Sequence, residues 1–142
     1  MTIHATAVAI GSGSNRRAVV LTGSSGAGKS DLALRLIDRG AVLIADDRVA
    51  LTVADGRVLA SPPQILAGLI EVRGVGLVTV PYVADVPVAL VVDLAATPDR
   101  LPEPATRDLL GVAVPVVALA AFEASAALKV ERALIASGGG VD

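Results

Sequence analysis

The sequence predicts an α/β fold: one mixed sheet with flanking helices, assembled around a glycine-rich loop. Three observations predict it. A short apolar run, Ala18 to Thr22, leads into a glycine loop and then into a helical pattern from Asp31 to Arg39. Asp55-Gly56 sits between two strand-like segments and signals a hairpin. Strand-like runs outnumber helical ones, which amount to only two or three. Regular strand–helix alternation would produce a parallel sheet; this order calls for an antiparallel part.

The elements follow in order. Ile3 to Ile10 reads as a first strand, Gly11 to Asn15 as a flexible turn, and Ala18 to Thr22 as a buried strand. The helix carries Leu32, Leu34, Leu36 and Ile37 and closes at Gly40. Ala41 to Ala45 is a buried strand ended by Asp46-Asp47. Arg48 to Val53 and Arg57 to Ala60 form the hairpin. Pro62-Pro63 starts a short helix through Ile65, Leu66 and Leu69. Val75 to Val80 and Val86 to Val92 are strands, Ala95 to Pro104 a Pro-rich loop, and Val112 to Leu119 a last strand. Ala121 to Ile135 reads as a terminal helix. No repeat or long linker divides the chain, so residues 1–137 form one domain, with 138–142 a flexible glycine-rich tail.

Composition narrows the function. The 142 residues suit a single core. Hydrophobic residues make up 54%, yet Tyr82 and Phe122 are the only aromatics, so the core is built from Val, Leu, Ile and Ala. A net charge of −2 argues against a nucleic-acid binder driven by phosphate attraction. The absence of cysteine excludes disulfides and thiolate metal sites. Mean hydropathy is high at +0.71, but the longest uncharged apolar stretch, Leu109 to Phe122, is shorter than the roughly 20 residues that cross a bilayer. With no basic region followed by an apolar block at the N-terminus, the expectation is a soluble cytoplasmic protein without membrane contact.

Gly23-Ser24-Ser25-Gly26-Ala27-Gly28-Lys29-Ser30 fits the phosphate-loop pattern G-x-x-x-x-G-K-[ST] at every fixed position. Its backbone N–H groups and the start of the following helix would wrap a polyphosphate. Lys29 would reach the β- and γ-phosphates, and Ser30 would place its hydroxyl on Mg²⁺. Lysine occurs only at Lys29 and Lys129 against ten arginines, which makes its presence in this slot informative. Asp46-Asp47 follows an apolar strand, where the acidic partner of a phosphate loop belongs; one carboxylate would face the metal and the other the substrate. Glu71, in Glu71-Val72-Arg73-Gly74, suits either a metal ligand or a surface ion pair. His4 is the only histidine and on its own reads more readily as structural. Arg100 would serve as a positive clamp or as a solvated loop charge.

Together these motifs resemble the HPr kinase/phosphorylase family. Gly23 to Val49 is similar to the family's G-x-S-G-x-G-K-S loop, helix, R-G and A-D-D; Glu71 to Gly76 is similar to its E-[IV]-R-G-[IVL]-G signature. Ile3-His4 and Pro63-Gln64-Ile65-Leu66 also match, so the resemblance covers about Ile3 to Ile135. It implies the fold of that family's C-terminal domain, related to phosphoenolpyruvate carboxykinase-type phosphate-loop folds. It implies an ATP- and Mg²⁺-dependent serine kinase acting on the phosphocarrier protein HPr, and a homo-oligomer. Residue by residue it implies Lys29 on the phosphates, Ser30 and Glu71 on Mg²⁺, and Asp47 as proton acceptor supported by Asp46, the two being exchangeable. His4 becomes a catalytic-site residue and Arg100, in Asp99-Arg100-Leu101, an active-site arginine. The chain resembles the short proteobacterial form, which consists of the kinase domain alone. The family's late P-V-x-x-G-R-N loop, tied to the reverse reaction, has no counterpart in Val114 to Ala121, so phosphorylase activity is not part of what is implied. Two other readings stay open at this point: a small-molecule kinase on the same loop, and a nucleotide-binding regulatory module without phosphoryl transfer.

Overall fold

The computed structural model describes residues 1–138. Eleven strands and two α-helices appear among them in the order β1 (Thr2–Ile3), β2 (Thr6–Ile10), β3 (Arg17–Thr22), α1 (Lys29–Asp38), β4 (Val42–Ala45), β5 (Val49–Ala54), β6 (Arg57–Ser61), β7 (Leu69–Val72), β8 (Gly76–Thr79), β9 (Val86–Asp93), β10 (Ala105–Leu109), β11 (Val112–Ala118) and α2 (Ala126–Ala136). Nine strands form one sheet along the path β1-β5-β6-β9-β3-β2-β4, with β11 on β9 and β10 on β11. β7 and β8 pair only with each other. The β3–β9 and β9–β11 pairings are parallel and the other strand pairings antiparallel. The mixed sheet with an antiparallel part is therefore as the sequence predicts.

Strand β9 is the hinge of the sheet. β3 runs along one side of it. On the other side β6 pairs with its start, at Val86 and Pro87, and β11 with its end, at Val91 to Asp93. The sheet splits there into two leaves.

Each face of the central strands builds its own core, because side chains alternate across a strand. Val8, Val19, Leu21, Leu43, Leu90 and Val92 pack with Leu32, Ala33 and Leu36 of α1 and Val130 and Leu134 of α2. Their sequence neighbours Ala7, Ala9, Ala18, Val20 and Ile44 pack with Val49, Leu51, Val58 and Ala60 of the β5–β6 leaf. The central strands are buried on both faces, which is why their sequences are continuous apolar runs rather than alternating ones. Alanine is the commonest residue of this second core, which contains no aromatic side chain.

Several local expectations differ. The first strand is broken at His4-Ala5 into β1 and β2, which pair with different partners, β5 and β3. The segment after Pro62-Pro63 forms only a single 3₁₀ turn, Gln64–Leu66, and then strand β7. Gly68, at φ +77°, lies where a Cβ would stand 3.1 Å from the Val80 carbonyl oxygen, so the chain turns there instead of continuing a helix. Strand β10 falls in a stretch, ATRDL, that carries little apolar signal. The terminal helix starts at Ala126, not Ala121, and the segment before it has a different task, described below. Of the predicted glycine tail, residues 139–142 lie outside the described residues.

Candidate active site at the phosphate loop

The parallel strands β3, β9 and β11 bring their carboxyl ends to one edge. The Leu94 N–H donates to the Thr22 carbonyl at 2.8 Å, and the Leu119 N–H to the Asp93 carbonyl at 3.2 Å. The glycine loop leaves this edge and enters α1. Gly26 and Gly28 adopt φ of +86° and +96°, which a side chain would resist. Gly28 also faces the chain end of the sheet: a Cβ there would meet Ala121 Cβ at 2.8 Å and the Phe122 ring at 3.0 Å. No side chain caps α1, whose N-cap is Gly28. The first-turn N–H groups, which have no intrahelical partners, therefore remain available to an anion at the positive end of the helix.

Lys29 is 7% exposed, and its ammonium donates to the carbonyls of Gly23 at 2.7 Å and Ser24 at 2.9 Å. These bonds use two of its three donors and hold the charge inside the loop. Ser30, one residue on, donates from Oγ to Asp46 Oδ1 at 2.7 Å. The same carboxylate oxygen accepts from Thr6 Oγ1 at 2.8 Å, and Oδ2 accepts from the Glu71 N–H at 2.9 Å. Asp46 is 7% exposed. It joins the loop, strand β2 and the β7–β8 hairpin through one buried carboxylate, and these charge-assisted bonds are what make its burial tolerable.

Asp47 is placed differently. Its backbone has φ +71°, and its side chain is 69% exposed. His4, in the break between β1 and β2, sets Nε2 3.3 Å from Asp47 Oδ1. His4, Thr6, Ser25, Gly26, Gly28, Lys29, Ser30, Asp46, Asp47 and Glu71 all line a single cleft of ≈ 390 Å³. Asp31, Leu34, Val72, Arg73 and Phe122 complete its wall. Glu71 is exposed, opposite Leu77 in the β7–β8 ladder. Among the described residues no three of His, Cys, Asp or Glu converge as a metal cage by themselves. The Ser30, Asp46 and Glu71 oxygens do fit a hard cation that takes one or two carboxylates and completes its shell from phosphates and water.

Arg100 is exposed in the 94–104 loop and does not line this cleft. The arginine that reaches the loop's entrance is Arg107 of β10. It donates to Asp93 Oδ2 at 2.8 Å and to Thr22 Oγ1 at 3.2 Å. Asp93 Oδ1 accepts from the N–H groups of Ala95 and Ala96. Burial acts to raise the Asp93 pKa, but the backbone bonds and Arg107 outweigh it and hold the group below its ordinary value. Sequence reasoning missed Thr6, Arg107 and Asp93. An acid ending an apolar strand marks Asp93 just as it marks Asp46; Thr6 and Arg107 carry no comparable signal.

Strand, glycine loop, helix and acidic pair come together in a protein of mixed α/β class. Residues 2–126 match the family model described as HPr Serine kinase C-terminal domain, and the chain belongs to that family. The fold is similar to that of the HPr(Ser) kinase/phosphatase from Coxiella burnetii, with a TM-score of 0.79 and 27% identity over 96% of this chain and 95% of that one. The chain is also 46% identical over 63 residues to an HPr kinase/phosphorylase of Clostridium tetani, and 51% identical over 63 residues to one of Limosilactobacillus reuteri. Those matches span 44% of this chain but 21% and 20% of the relatives' own lengths. No helix among the described residues is long and apolar enough to cross a membrane.

Proposed function

We propose that this domain is a Mg-ATP-dependent serine protein kinase whose acceptor is the phosphocarrier protein HPr. The 2.7 Å bond between Ser30 and Asp46 carries the reading, because it fastens the acidic pair to the phosphate loop within one cleft.

The loop N–H groups and Lys29 bind the β- and γ-phosphates of ATP. Ser30 and Glu71, with Asp46 behind them, would hold Mg²⁺, which when bound neutralises phosphate charge. Asp47 takes the proton from the acceptor serine. The serine oxygen forms its bond to the γ-phosphorus as the bond to the bridging oxygen breaks, and ADP leaves with that electron pair. Asp47 suits the base better than Asp46: its carboxylate stands open in the cleft, whereas both Asp46 oxygens are occupied by donors. His4, 3.3 Å from Asp47, orients that carboxylate. Lys29 and the loop supply charge stabilisation that is greatest when the phosphoryl group is in transit. The reading is confined to the forward direction, the protein acting in the cytoplasm as a homo-oligomer. Arg100 retains a role only if the 94–104 loop folds over the bound acceptor.

The test is transfer of γ-labelled phosphate from Mg-ATP to HPr of the same organism. Controls are Asp47→Ala enzyme and HPr whose acceptor serine is replaced by alanine. Label on HPr that is lost in both controls supports the reading. Lys29→Ala should lower the rate by at least about 100-fold; near-normal turnover in that variant would sink the proposal. ATP binding without any transfer would instead favour a regulatory nucleotide module.

A further inference from the structure

Phenylalanine occurs once in this chain, and the fold leaves it 69% exposed. Burial of a phenylalanine is one of the larger favourable terms open to a small domain, so a ring held out of the core is informative. The ring is indeed held. Phe122 lies between β11 and α2, in a strap tied down on both sides of it. Arg35 of α1 donates to the Ala121 carbonyl and, at 3.0 Å, to the Glu123 carbonyl. Lys129 bonds the Glu123 carboxylate at 2.5 Å.

The strap lays the ring against the phosphate loop. A Cβ built on Gly28 would stand 3.0 Å from Phe122 Cζ and 3.1 Å from Cε1. The ring lines the same cleft as Lys29, Asp31 and Leu34. It is also placed just beyond the carboxyl end of β11, beside the ends of β9 and β3, where open α/β sheets receive their ligands. The other aromatic residue, Tyr82, bridges to Leu43 of β4 and does not line the cleft.

We propose that Phe122 is the stacking wall for the nucleobase of the nucleoside triphosphate whose phosphates occupy the Gly23–Ser30 loop. This rests on the phosphate-loop reading above and adds where the base lies. A phenyl ring offers a π face and no hydrogen-bonding atom, so it recognises the flat face of a base and not its edge pattern. The wall should therefore separate nucleotides from inorganic polyphosphates while discriminating little between adenine and guanine.

Calorimetric titration of the full chain with ADP, GDP and inorganic pyrophosphate, each with Mg²⁺, tests this. Phe122→Ala should weaken ADP and GDP alike by about 5- to 150-fold, the range of a lost base–aromatic stack. Pyrophosphate affinity should stay within about twofold. Phe122→Leu keeps an apolar group against Gly28 and guards against misfolding; it should show the same selective loss, and Phe122→Trp should restore nucleotide affinity. Unchanged ADP affinity in the Ala and Leu variants overturns the proposal. So does an equal loss of ADP and pyrophosphate, which would assign the ring to packing the loop. If the unaltered chain binds neither ligand, the phosphate-loop reading itself falls, and this inference with it.

Discussion

At Asp47 the backbone takes φ +71°, and the Arg48 N–H turns back to the Asp46 carbonyl at 2.8 Å. That is a tight γ-type turn of the strained hand. It gives adjacent carboxylates separate surroundings, one buried among three donors and one open to the cleft. The adjacency of the pair was legible in the sequence, because acids ending an apolar strand stand out. Their division of labour was not, since it depends on a positive φ at a residue other than glycine. Substitutions should separate the two roles. Under the proposed function, Asp47→Ala should cost transfer at least about 100-fold, the loss expected for a general base. Asp47→Gly should be equally inactive yet about 1 kcal/mol more stable than Asp47→Ala, because glycine accepts this backbone. Asp46→Ala should instead lower the unfolding free energy by about 2–4 kcal/mol, leaving Thr6, which is fully buried, without its acceptor. Urea unfolding of the three variants beside their transfer rates decides; equal stability losses at both positions would refute the division.

Two hairpins of the sheet show why one element was readable and another was not. β5 and β6 are joined by Asp55-Gly56 at φ +53° and +75°, between the paired residues Ala54 and Arg57. β10 and β11 are joined by Leu110-Gly111 at φ +51° and +86°, between Leu109 and Val112. Both are two-residue turns with positive φ at each central position, the geometry that matches strand twist. The first uses the residue types that advertise such a turn. The second places leucine where a bulky side chain is strained, on an edge strand with few apolar residues, so its sequence hid it. β7 was hidden for another reason: Leu69 to Val72 follows a proline pair and continues an apolar spacing that suits a helix equally well. The β10–β11 turn therefore holds recoverable stability. Leu110 is 37% exposed, so its side chain is only partly packed. Leu110→Asn should stabilise the protein by about 1 kcal/mol, raising Tm by about 4 °C for a chain of this size. A Tm that falls would show that Leu110 packs more than its exposure implies.

Across the whole molecule, the phosphate loop depends on an edge that three distant segments close together. β3 and β9 were legible as buried strands because both of their faces lie against apolar layers. Their adjacency was not, since β9 follows β3 by more than sixty residues and only the folded sheet pairs Thr22 with Asp93. Arg107 then ties β10 to Asp93 and to Thr22, the residue just before Gly23. The Asp93 carboxylate thus couples the β10–β11 hairpin, the start of the 94–104 loop and the entrance to the phosphate loop. Its depressed pKa makes that coupling visible in stability. Below the ordinary carboxylate pKa the unfolded chain binds a proton at Asp93 before the folded one does, so stability rises with pH there. The contribution is present above the unfolded value and is lost as pH falls through the folded value. The side chain is 21% exposed, so solvent screens part of it. Asp93→Asn should therefore be less stable than the unaltered chain at neutral pH, and the difference should shrink as the pH is lowered below about 4. Urea midpoints measured across that range test it. A gap that stays constant, or widens with acid, would mean that Asp93 acts through its shape and hydrogen bonds alone, and not through the charge that Arg107 and the two N–H groups stabilise.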